Sequence, residues 1–138
     1  MSQLKAVQEK LRLIRILRLL KKSYTYEELS RITGLPITVL NRYVRGGKVL
    51  PSSERTKELM ELLAPYINIE EEVRKRIKFD ERGFFDNMPA LSDTALMSLI
   101  AEEVASKYMD KDIDKVLTAE TDGIVLGTHI ARELGGQT

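Results

Sequence analysis

Two short stretches of the chain carry side chains whose types and spacing could do chemistry. In "LPITVLNRYVRGGK" (residues 35–48), Thr38, Asn41, Arg42 and Arg45 recur at three- and four-residue spacing, which puts them on one face of a helix. An Asn amide can pair bidentately with an adenine edge, an Arg guanidinium with guanine, and a Thr with a thymine methyl or a phosphate. Lys48, just beyond, and Arg55 add cations that neutralise phosphates without reading bases. In "AETDGI" (residues 119–124), Glu120, Thr121, Asp122 and Gly123 form a turn ahead of an apolar run. Glycine there allows close backbone approach, and the amides that open a following helix suit a phosphate or pyrophosphate.

Other chemistries find less material. The chain has no cysteine and a single histidine, His129, so neither a disulfide framework nor a thiolate or His-rich metal site is available. Asp110, Asp112 and Asp114 alternate as in a calcium loop, but the glycine and distal glutamate of such a loop are missing, and the run reads as a polar turn. His129 reads as a surface or packing residue. No positioned acid, base or metal set is visible, so the expectation is no catalytic residue, no metal and no resident cofactor.

The 138 residues are 43% apolar and 31% charged, the profile of a helical protein with a core. The net charge of +1 conceals a division. Residues 1–64 hold 13 Lys and Arg against 6 Asp and Glu, whereas residues 65–138 hold 9 against 15. A first half at +7 suggests a polyanionic partner, with docking of one half on the other as the plainer alternative. No apolar run reaches the roughly 20 residues of a membrane span, because Arg12, Arg15 and Arg18 interrupt "LRLIRILRLL". No membrane partner and a cytoplasmic location are the resulting expectations.

The elements that must position the first stretch can be read from spacing and caps. Leu4, Val7, Leu11, Ile14 and Leu17 mark an amphipathic helix to about Lys22, widened by Leu13, Ile16, Leu19 and Leu20. So broad a stripe implies more than one neighbour, a second copy of the chain included. "YTYEELSRITG" carries a capping box between Thr25 and Glu28, a Tyr24–Leu29 hydrophobic staple and a stop at Gly34. A third helix follows, with Val39, Leu40, Tyr43 and Val44 inward and the polar set outward. Ser52 or Ser53 then caps a fourth helix that closes before Pro65.

Beyond Pro65, "NIEEEVRKRIKFDERGFFDNMPALSD" reads as a connection with a small cover element around Phe79, Phe84 and Phe85. Its runs Glu70–Glu72 and Arg74–Arg76 pair i,i+4 on a solvated helix face. Ser92 caps a helix to Met109 whose buried stripe is Leu96, Leu99, Ile100, Val104 and Tyr108, with Met97 and Met109 as core residues. Val116–Ala119 reads as a short strand and Ile124–Leu134 as a helix with Gly127 and Ala131 along it.

"YEELSRITGLPITVLNRYVRG" resembles the helix-turn-helix domains of repressor-like regulators, over roughly residues 24–64. "GFFDNMPALSD" and "VLTAETDGIVLGTHIARELG" resemble archaeal transcriptional regulators that join a helix-turn-helix to an orotate phosphoribosyltransferase-like domain. The resemblance implies a mainly α chain: a helix-turn-helix domain at 1–65, a linker and cover element at 66–91, and an incomplete α/β phosphoribosyltransferase-like segment at 92–138. It implies that Glu120, Thr121, Asp122 and Gly123 lie on a pyrophosphate-facing loop, with phosphoribosyl pyrophosphate or a nucleotide as effector of the complete domain. The acidic pair and Gly/Thr-rich loop that define the transferases are missing. The segment therefore looks truncated, and residues 110–138 are expected to be poorly ordered or held by a partner chain.

The resulting expectation is a DNA-binding transcriptional regulator, a homodimer on double-stranded DNA, with helix one or the helix at 92–108 as the dimer surface. Two alternatives stay open: a fragment of a phosphoribosyltransferase enzyme of the orotate or purine type, and a protein-interaction module that grips an acidic partner.

Overall fold

The computed structural model describes residues 2–46 and 49–135. The chain is mainly helical, with eight α-helices, one 3₁₀ turn and one two-stranded hairpin among the described residues. It divides into two compact units, residues 1–68 and 69–138. No described helix is long and apolar enough to cross a membrane.

The first unit is four helices: α1 (Gln3–Leu20), α2 (Tyr26–Thr33), α3 (Ile37–Val44) and α4 (Ser53–Leu63), closed by a 3₁₀ turn at Ala64–Tyr66 that contains Pro65. Its core is built from the C-terminal half of α1, where Leu13, Ile16, Leu17, Leu19 and Leu20 are fully buried, together with Leu29, Leu40, Leu59 and Leu63. The apolar spacing of α1 continues N-terminally, where Leu4, Val7 and Leu11 lie exposed at 69%, 41% and 42%. The unit ends before it reaches them, because α3 and α4 are short and pack on the other end of α1.

Local signals set the boundaries. The Thr25 hydroxyl accepts from the Glu28 amide at 3.2 Å, and the Glu28 carboxylate accepts from the Thr25 amide at 2.7 Å, completing the capping box. Gly34 ends α2 in the left-handed region at φ 72°, where a side chain would be strained. Ser52 caps α4 by accepting from the Arg55 amide. Tyr24, placed by sequence in a staple, meets Tyr66 edge to face with ring centroids 5.9 Å apart.

The second unit contains α5 (Ile69–Arg76), the antiparallel hairpin β1 (Lys78–Phe79) and β2 (Phe85–Asp86), α6 (Met88–Leu91), α7 (Thr94–Ser106) and α8 (Gly123–Leu134). Here α7 and α8 form the main helix pair, with Leu96, Met97, Leu99, Ala101 and Ala105 of α7 buried and Gly127 and Ala131 of α8 buried. Small residues on α8 let the two helices come close.

Several expectations are corrected in this unit. Asp93, not Ser92, caps α7: its carboxylate accepts from the Leu96 amide at 3.1 Å, while Ser92 closes α6. A carboxylate outcompetes the neighbouring hydroxyl here because it also meets Arg76. Helix α7 stops at Ser106, so Tyr108 and Met109 lie outside its stripe and are exposed, whereas Met97 is buried. Val116–Ala119 forms no strand; among the described residues the one sheet is the β1–β2 hairpin, which this stretch does not join. Phe79, Phe84 and Phe85 are exposed on the hairpin and do not cover a core.

The charged face of α5 is only partly solvated. Glu70 and Arg74 pair at 2.7 Å in the open. The carboxylate of Glu72 is buried and meets Arg76 Nη1 at 2.7 Å, and Arg76 Nε donates to Asp93 at 2.9 Å. Arg76 thereby ties the end of α5 to the cap of α7. Asp93→Ala leaves Arg76 paired with Glu72 but removes the cap of α7 and one charge-assisted hydrogen bond. It is expected to lower the second unit's stability by about 2–4 kcal/mol in chemical denaturation, whereas Glu70→Ala changes it by less than about 0.5 kcal/mol.

Candidate nucleic-acid interface

The first candidate face begins with the turn that aims it. Between α2 and α3, the Ser30 hydroxyl donates to the Leu35 carbonyl at 2.6 Å, and Thr33 Oγ1 donates to the Leu29 carbonyl while accepting from the Leu35 amide at 3.2 Å. With Gly34 left-handed and its amide on the Ser30 carbonyl, side chains within the turn satisfy both the amide and the carbonyl of Leu35. Pro36 then opens α3 with its missing N–H at a position that needs none.

Helix α3 buries Leu40 and Tyr43 and half-buries Val39 and Val44, as its inward spacing requires. Thr38, Arg42 and Arg45 are exposed on the opposite side. Asn41 is different from its reading as a simple outward residue: it is half-buried, and its Oδ1 accepts from the Tyr26 hydroxyl at 3.1 Å. Arg55 is exposed in the first turn of α4. Lys48 lies outside the described residues.

Three further residues, Arg18, Gly46 and Lys21, shape this face in ways that the sequence did not show. Arg18 of α1 donates from Nε to the Val44 carbonyl at 2.8 Å, placing a cation at the C-terminal end of α3 where its carbonyls are unpaired. Gly46, at φ 70°, follows that end, and a side chain there would crowd the Arg18 guanidinium. Lys21 lies with Nζ 4.7 Å from the centroid of the Tyr26 ring. No spacing rule reveals these links, because each joins residues on different helices.

Exposed Leu11 also lines a shallow cleft of about 310 Å³ with Ile14, Arg15, Arg18, Gly46 and Leu50. The apolar edge of α1 therefore continues beside the turn that follows α3. By contrast, α8 covers the apolar stripe of α7.

The second candidate, the Glu120–Gly123 loop, is arranged differently from its expectation. Glu120, Thr121 and Asp122 are exposed and precede α8 without a strand beneath them. Asp122 accepts from Asn87 Nδ2 at 3.1 Å, and the Gly123 amide is already used by the Ala119 carbonyl at 3.1 Å. His129 packs between α7 and α8, its Nδ1 3.5 Å from the Ser98 hydroxyl. Among the described residues, no group of acids and histidine is arranged to hold a metal ion.

No protein-family model, curated protein or solved structure matches the chain. The arrangement of α2, α3 and their turn therefore stands on its own residues.

What the loop does provide is packing. Thr118 lies so close to Gly127 that a methyl group on α8 at that point would collide with the Thr118 γ-methyl. Gly127→Ala is expected to destabilise the second unit by about 1–3 kcal/mol, the usual cost of overpacking. Thr118→Ser, which removes that methyl, is expected to restore most of the loss in the double variant, as measured by thermal unfolding.

Proposed function

We propose that the chain is a DNA-binding transcriptional regulator whose first unit is a helix-turn-helix of the repressor-like, four-helix kind. Helix α3 is the recognition helix, which enters the major groove. One observation carries this reading: Thr38, Arg42 and Arg45 are exposed on the outer side of a short helix, with half-buried Asn41 at its edge, and Leu40 and Tyr43 lock the inner side. The tied turn at Gly34 supports it, since a reading helix must keep its angle to the helix that braces it.

On this reading Arg42 and Asn41 meet base edges, while Arg45, Arg55 and Lys48 neutralise phosphates and Thr38 meets a thymine methyl or a phosphate. A homodimer on two-fold related half-sites gives the contact area that one small unit lacks. The exposed Leu4, Val7 and Leu11 of α1 favour that helix over α7 as the surface for the second copy. On the resemblance alone, the second unit is the part that responds to a phosphoribosyl compound or nucleotide. The location proposed for such a regulator is cytoplasmic.

The test is a binding titration against genomic fragments at two salt concentrations. Selective binding that weakens with salt is the expected outcome. Arg42→Ala should cost about 1–3 kcal/mol on the preferred site and relax the preference at one base step, whereas Arg55→Ala should weaken all sequences alike and reduce the salt slope by about 1. Binding no better than to random duplex would sink the proposal.

A further inference from the structure

We propose that Tyr26 is a specificity-determining residue, which sets the base preference of α3 by holding the carboxamide of Asn41; this rests on the DNA-binding reading above. A free Asn side chain offers an acceptor and a donor side by side, the pair that adenine N6 and N7 require. Here the Tyr26 hydroxyl donates to Oδ1 at 3.1 Å, so the oxygen is turned toward α2 and one of its lone pairs is occupied. With the oxygen held, Nδ2 and its two hydrogens are the part of the amide left to donate. Such a face suits acceptors in the major groove: guanine O6 and N7, or thymine O4.

The phenol is itself held. Tyr26 is the first residue of α2, directly after Thr25, whose capping box fixes the backbone of that turn. Lys21 Nζ sits 4.7 Å from the centre of its ring, and the ring is half-buried. A swing of Tyr26 away from Asn41 would break the Lys21 contact and expose the ring. Residues at the end of α1, the start of α2 and the middle of α3 therefore act as one chain of contacts that ends at a base-reading amide.

The experiment selects preferred sites from a randomised duplex pool with the full chain, as wild type, Tyr26→Phe, Asn41→Ala and the double variant. Tyr26→Phe keeps the ring and the Lys21 contact and removes only the hydroxyl; matching circular dichroism and melting establish that it folds. The base step read by Asn41 is the one whose preference Asn41→Ala abolishes. The expected result is that wild type prefers guanine or thymine there and that Tyr26→Phe gains adenine by about fivefold or more, the low end of a bidentate base contact. In the Asn41→Ala background the Tyr26 substitution should change nothing at that step. If wild type selects sites but Tyr26→Phe leaves that preference unaltered, or only weakens all sites alike, the role assigned to Tyr26 is wrong. If wild type selects no site at all, the DNA-binding reading itself falls and this inference with it.

Discussion

Leu40 and Tyr43 are taken out of water on the inner side of α3, into a core to which α1 contributes Leu13, Ile16, Leu17, Leu19 and Leu20. Complete burial of one such leucine is worth about 1.5–3 kcal/mol, so rotating α3 by even a third of a turn would exchange that gain for buried Thr or Arg. The outward direction of Thr38, Arg42 and Arg45 follows from this burial. No attraction between the polar residues is needed to align them.

Burial sets the rotation of α3, and the turn before it sets the angle. Gly34 reverses the chain with a left-handed backbone, and Ser30 and Thr33 satisfy carbonyls and an amide that the two helices leave over. Arg18 does the same at the far end by meeting the Val44 carbonyl. An eight-residue helix is too short to be stable alone in water. Its order is borrowed from a neighbour at each end and from the core beneath.

Those dependencies explain which parts were legible in the sequence. The capping box, Gly34, the inward pair Leu40 and Tyr43 and the start of α4 are local patterns, each decided within a few residues, and each could be read directly. The Tyr26–Asn41 and Arg18–Val44 bonds span 15 and 26 residues and obey no periodicity, so they were invisible until the helices were placed. The same distinction accounts for the failures. An apolar run at Val116–Ala119 has the composition of a strand, but a strand exists only with a partner, and the sheet among the described residues does not include it. Leu4, Val7 and Leu11 are a different case: their spacing marks a helical face, as read, while what covers a face depends on the lengths of other elements.

The charge division is tied to this architecture. Residues 65–68 carry no charge, so the unit that ends at Asn68 keeps all 13 cations and 6 carboxylates of the first half. That unit therefore carries seven more cations than carboxylates. In the second unit the pairs Glu70–Arg74, Glu71–Lys75 and Glu72–Arg76 show what balanced charge does: it is consumed along one helix. An excess that cannot be consumed internally holds counterions, and their release on meeting a polyanion is a source of affinity that does not depend on sequence. On the proposed DNA-binding reading, discrimination then has to come from groups with fixed direction, and α3 carries such side chains on the side opposite Leu40 and Tyr43.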